Sequence, residues 1–329
     1  MFASIWPAPL DDLTLRTVAF GLAALGAIAG VVGTFAVVRR QSLQGDAISH
    51  AALPGVALAF IFGGRSSVVL ILGAAIAGWI AMTLVGGIVK RSRVPFDAAL
   101  AGALAVFFGF GLVLMSFLQK LAGRPATNAL EQWIQPAAKE ATRHGLDRYL
   151  FGQAAFLRTD DLIVILGFGL AVLIVLMLFW KEFKLVSFDR DYAASLGYPT
   201  RFLDILLTTA IVIAVVIGLQ SVGVVLMSAL LVAPASAARQ WVNKLGAVAI
   251  LAAIFGAVAG FGGILLSYEV QGKGPPIPAG PTVVLCATAL ALGSILLAPL
   301  FQRSTSEPEA LATTDATIVA NASGSDRNP

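Results

Sequence analysis

The chain has 329 residues, 58% of them hydrophobic and 12% charged, with a mean hydropathy of +0.88. A soluble domain carries about a quarter charged residues, so this composition excludes one and indicates a polytopic membrane protein. The formal net charge of +4 comes from Lys and Arg gathered in short loops rather than from a nucleic-acid-binding face, and a single cysteine, Cys286, leaves no disulfide framework to build.

The first apolar run, 14–38, follows Asp11 and Asp12, where a signal peptide would place positive charge. It is also too long for a signal h-region, so it reads as a transmembrane helix behind a short outer segment, residues 1–13. Further apolar segments follow at 45–63, 66–89, 96–122, 161–181, 203–238, 245–268 and 280–301. Each suits one crossing of ~20 residues except 203–238, which is too long. That segment is interrupted by Gln220-Ser221-Val222-Gly223 and has Pro234 near its end, which predicts a broken helix or two short crossings.

Charge bias decides how the segments are oriented. With the N-terminus outside and two crossings in 203–238, the cytoplasmic loops hold 12 Lys and Arg and the short outer segments hold 3. The positive-inside rule therefore favours nine crossings, N-terminus out and C-terminus in, or eight if 203–238 is one bent helix. Residues 14–303 form the membrane domain. Residues 123–160, with Trp133, Pro136 and His144, read as an outer loop containing a short interfacial helix. The tail 304–329 is small, polar and unpatterned, and reads as disordered and cytoplasmic.

The cytoplasmic stretch 181–204, KEFKLVSFDRDYAASLGYPTRFLD, is long enough to hold a helix over 188–199. Asp189 is placed to cap it, and Gly197 and Pro199 to stop it. The plain reading is an ordinary connector. A partner that pushes on the bundle would also find anchors in Phe188, Tyr192, Leu196 and Tyr198.

Charged groups inside the apolar runs are few. GDAISHAALPG, 45–55, places Asp46 and His50 four residues apart and so on one helix face. A carboxylate with a neutral imidazole begins a site for Mn, Fe or Zn, and intramembrane ionisable groups are costly enough to imply a function. The plainer alternative is that Asp46 caps the helix and His50 bonds a neighbour. Two ligands do not complete a site, so others must come from elsewhere in the bundle or from water. Asp97 opens FDAALAG after a basic loop, where capping or ion pairing suits it better than transport. Gln220 is suited equally to weak ligation and to satisfying freed backbone. No GxxxxGK[ST] occurs, nor HExxH or GxSxG, so the chain has no phosphate-cradling loop and no hydrolase signature.

The run VVRRQSLQGDAISHAALPGVALAF, 37–60, resembles the signature of the metal-type ABC permeases, the membrane subunits of bacterial manganese, zinc and iron importers. Further likeness runs through GLDRYLFGQAA (145–155), SFDRDYAASLGYP (187–199), LQSVGVVLMSALLVAPASAAR (219–239) and PAGPTVVL (278–285). The resemblance covers residues ~10–303; a longer outer loop at 123–144 and the tail after 303 depart from it. It implies a permease dimer, homo- or heteromeric, in the bacterial cytoplasmic membrane, two cytoplasmic ABC ATPases, and an outer solute-binding protein that delivers the ion. It further implies that Asp46 and His50 line the metal path and that 181–204, with Phe188, Asp189, Tyr192, Leu196 and Gly197, couples to the ATPase. The ion would be cargo, with no permanently bound cofactor. A siderophore or cobalamin permease would share the architecture but has little use for the Asp/His pair. An ion-coupled secondary transporter would need no ATPase, and an intramembrane enzyme lacks its motifs.

Overall fold

An apolar segment in lipid must satisfy each backbone N–H and C=O internally, which for a single segment means an α-helix. The computed structural model describes residues 13–63, 67–143, 159–271 and 279–299, and in them the chain is helical with no strand. The helices are α1 (Leu13–Val38), α2 (Gln44–Gly63), α3 (Ser67–Arg91), α4 (Phe96–Ala122), α5 (Ala129–Arg143) and α6 (Thr159–Leu178). They continue as α7 (Trp180–Phe188), α8 (Arg190–Ser195), α9 (Thr200–Val222), α10 (Val224–Arg239) and α11 (Leu245–Gln271), and end with α12 (Ala279–Pro299). Among the described residues, seven helices are long and apolar enough to cross a membrane alone. The pair α6 and α7, bent by 71°, makes an eighth, and α10 holds a shorter apolar helix, Leu226–Arg239. The chain is an all-α polytopic bundle, and the seven or eight spans among the described residues come near the eight to nine that the apolar segments predict. His144, the motif at 145–155 and the tail beyond 303 lie outside the described residues.

Small residues set the helix register. A methyl on Gly26 would collide with the Gly256 carbonyl and one on Gly256 with the Gly26 carbonyl; Gly30 meets Ala252 in the same way, and Gly260 meets Leu22. The partners 22/260, 26/256 and 30/252 rise along α1 as they fall along α11, so the two helices are antiparallel, with backbones touching along a stripe of small residues. Against α10 the sense is opposite. Gly33 abuts the Leu231 carbonyl and Arg239 Nη1 donates to the Val37 carbonyl at 3.4 Å, so α10 runs parallel to α1.

That parity bears on the segment 203–238. Were it one crossing, α11 would come an even number of reversals after α1 and run parallel to it. Instead the helix breaks at Gly223, whose φ of 93° and ψ of 168° lie in a region open to glycine. Met227 then packs back onto Gly218, although residues nine apart in a straight helix would be ~13 Å apart. Helices α9 and α10 are thus two elements of opposite sense. One end of the bundle gathers the end of α1, the start of α2, α7, α8, the start of α9 and the end of α10.

At that end the chain differs in detail from the expected single helix over 188–199. Helical structure begins earlier, as α7, breaks at Asp189 and resumes as α8. Aromatic packing explains the early start. Phe35 of α1, fully buried, meets Trp180 edge-on at 5.3 Å and Phe183 at 6.0 Å between ring centroids. Each such contact contributes about 0.5–1.5 kcal/mol beyond simple burial, which holds α7 along α1.

Candidate metal centre

Helix α2 starts at Gln44 after a tight turn in which Arg40 adopts φ 56° and Gln41 N–H donates to the Ala36 carbonyl at 2.8 Å. Asp46 therefore falls in the first turn, where the helix dipole favours a carboxylate. Among the described residues its side chain accepts no hydrogen bond from the first-turn amides, so it is not a side-chain cap. Its partner is His50, one turn on, with Nε2 3.5 Å from Oδ1; the side chains are 37% and 19% exposed. That separation is too long for a strong hydrogen bond, so both groups keep lone pairs available.

The surroundings of His50 are apolar. Its ring stands edge-on to Phe108 of α4, with centroids 4.7 Å apart and planes at 78°. The other ring nitrogen, Nδ1, is buried without a hydrogen-bond partner, as are Ser49 Oγ and Gln44 Oε1 on the same helix. An unsatisfied buried polar atom costs about 1–3 kcal/mol, and three within two turns mark α2 as unusual. Pro54 lies inside the helix one turn beyond His50. Having no N–H, it cannot donate to the His50 carbonyl, which is left without its usual intrahelical donor. Gly111 of α4 lets the two helices approach here, since a Cβ on it would lie 2.9 Å from Leu53 Cβ and 3.1 Å from Pro54 Cδ. Phe108 and Gly111 were not singled out in the sequence, where they look like ordinary helix filler.

The other sequence candidates lie apart from this pair. Asp97 is exposed in the first turn of α4 and makes no ion pair among the described residues, in keeping with a helix-end charge. The backbone of Gln220 is in α9; its side chain lies outside the described residues. No group of three or more His, Cys, Asp or Glu that could hold an ion occurs among the described residues.

The coupling candidates cluster at the gathered end of the bundle. Asp189 caps α8, its Oδ1 accepting from Tyr192 N–H at 2.9 Å. Gly197, at φ 83°, ends it in a Schellman arrangement: Gly197 N–H donates to Ala194 O at 3.0 Å and Tyr198 N–H to Ala193 O at 3.1 Å. Phe188, Tyr192, Leu196 and Tyr198 are all exposed. Sequence reading missed one feature here. Asp204, in the second turn of α9, accepts from Arg39 Nη2 at 2.9 Å and from Arg190 Nη2 at 2.7 Å, and Arg39 Nε donates to Ser187 Oγ at 3.1 Å. Burial pushes the Arg39 guanidinium below its ordinary pKa, and Asp204 acts against that shift. A carboxylate at the head of an apolar helix, beside a basic loop, was the available signal.

Comparison with known proteins places this architecture. The chain is 42% identical over 290 residues to the zinc transport system membrane protein TroC of Treponema pallidum, covering 88% of this chain and 90% of the relative. It is 42% identical over 300 residues to the manganese transport system membrane protein MntC of Bacillus subtilis, covering 91% of this chain and 64% of that longer relative. The solved structure of PsaBC from Streptococcus pneumoniae in complex with Fab superposes with a TM-score of 0.72 at 30% identity, over 89% of this chain and 95% of that one. The sequence profile of the ABC 3 transport family matches residues 11–298, nearly the whole helical bundle including α2 and its Asp46–His50 pair, and the chain belongs to that family.

Proposed function

We propose that the chain is the membrane permease subunit of an ATP-binding cassette importer that moves a divalent metal ion (Mn, Zn or Fe) across the bacterial cytoplasmic membrane. The observation that carries this reading is the loose Asp46–His50 pair on a helix with buried unpartnered polar atoms. Such a pair costs free energy in a resting bundle and repays it when an ion supplies the missing partner. The relatives named as zinc and manganese transport proteins support the cargo class. A two-ligand site is incomplete for these ions, which take four or more donors. The freed His50 carbonyl, water and a second permease subunit are the available sources.

Energy must come from outside the chain, which has no phosphate-binding loop. Helix α8 with its exposed Phe188, Tyr192, Leu196 and Tyr198 offers apolar anchors to a separate cytoplasmic ATPase. Asp189 and Gly197 hold that element in shape. An outer solute-binding protein would deliver the ion, and the permease itself catalyses no reaction.

Proteoliposomes containing the permease, its ATPase and its solute-binding protein, given manganese(II), zinc(II) or iron(II) separately with ATP, test the reading. At least one ion should accumulate with ATP and not without it. Asp46→Asn and His50→Ala should each abolish that uptake with the protein still inserted and assembled. Uptake at the wild-type rate by both variants would reduce the pair to scaffold, and uptake without any ATPase would make the chain a secondary transporter.

A further inference from the structure

The carboxylate of Asp204 sits where three elements meet. One oxygen takes Arg39 at the end of α1 and the other takes Arg190 at the start of α8. Arg39 reaches Ser187 of α7 as well, so α1, the α7–α8 segment and α9 are joined through two guanidinium groups and one carboxylate. The join has a regular register. Phe35 and Arg39 lie one turn apart on α1, and their partners Phe183 and Ser187 lie one turn apart on α7. The aromatic contact and the polar contact thus fix α7 to α1 at two successive levels.

What lies beyond Arg39 gives the join its significance. Six residues separate it from Asp46, and they are not slack. Gln41 N–H bonds to Ala36, Gln44 N–H to Gln41, and Ala47 N–H to Leu43, at 2.8–3.1 Å. Gly45 abuts the Leu231 side chain of α10. A displacement of α8 therefore has a stiff route through Arg190, Asp204 and Arg39 into the turn that carries the Asp46–His50 pair.

We infer that Asp204 is a positioning residue that ties the movement of α8 to the α1–α2 turn, so that ATPase-driven motion of α8 changes the setting of Asp46 and His50. This rests on the permease reading above. Simple neutralisation of Arg39 would not require the second oxygen to engage Arg190. Nor would it require Arg190, half exposed and able to stay in water, to be held at 2.7 Å.

The test is the number of ions moved per ATP hydrolysed, in proteoliposomes of permease, ATPase and solute-binding protein supplied with manganese(II) or zinc(II). Asp204→Asn should lower that ratio tenfold or more, and Asp204→Glu, which keeps both oxygens, should restore at least half of it. Because Asp204→Asn leaves Arg39 buried with a weaker partner and can destabilise the bundle, Arg190→Gln is the second variant. It leaves the Arg39–Asp204 pair intact and should lower the ratio about fivefold, with melting temperature and ATPase affinity near wild type. A wild-type ratio in Arg190→Gln, or in both Asp204 variants, overturns the inference. If the wild-type permease moves none of manganese(II), zinc(II) or iron(II) with ATP, the permease reading itself fails.

Discussion

Leu196→Ala isolates the apolar anchoring of α8. Fully burying a leucine side chain contributes about 1.5–3 kcal/mol. Leu196 is 53% exposed, so docking can bury only the outer half, about 0.8–1.6 kcal/mol. Alanine keeps a fraction of that, which leaves a loss of about 1 kcal/mol, or roughly fivefold in Kd for the ATPase. The fold of α8 should not change, because its C-terminal hydrogen bonds run between backbone atoms of Ala193, Ala194, Gly197 and Tyr198 and its N-terminal cap is the Asp189 side chain. Phe188, 62% exposed, should lose somewhat more on truncation, about 1–2 kcal/mol. Binding of purified ATPase to permease in nanodiscs measures both, and the control is Leu285→Ala, a leucine 65% exposed on α12, away from the gathered end. Unchanged affinity in Leu196→Ala and Phe188→Ala, or an equal loss in Leu285→Ala, would refute the docking argument.

Two more predictions concern fold and orientation. Gly256→Ala should destabilise the bundle by about 1–3 kcal/mol, because its methyl meets the Gly26 carbonyl, whereas Gly262→Ala on the same helix meets open space and should be neutral or slightly stabilising. Thermal unfolding in detergent should separate the two, and equal melting would show that α1 and α11 do not touch along this stripe. A cysteine replacing Trp133 on α5 should label with a membrane-impermeant thiol reagent in intact cells, and one replacing Ala194 on α8 should not. The reverse pattern would invert the orientation drawn from the loop charges.

How far the sequence reached depends on the range of each interaction. Apolar runs long enough to span lipid force helices, so α1 to α4, α6, α9, α11 and α12 were legible as segments, and so was the pairing of Asp46 with His50, which needs only four residues of helix. The capping role of Asp189 and the stop at Gly197 were legible for the same reason, being backbone chemistry within one turn. Contacts between distant segments were not. Nothing in GLAALGAIAG says that its glycines face α11 in antiparallel register, because small residues permit close approach without choosing a partner. The opposite sense of α9 and α10 was favoured by the loop charges, but its contacts came only with that register. Asp204 lies 165 positions from Arg39, and its role as a bridge, like the seat of His50 against Phe108, was decided by packing that no local pattern encodes.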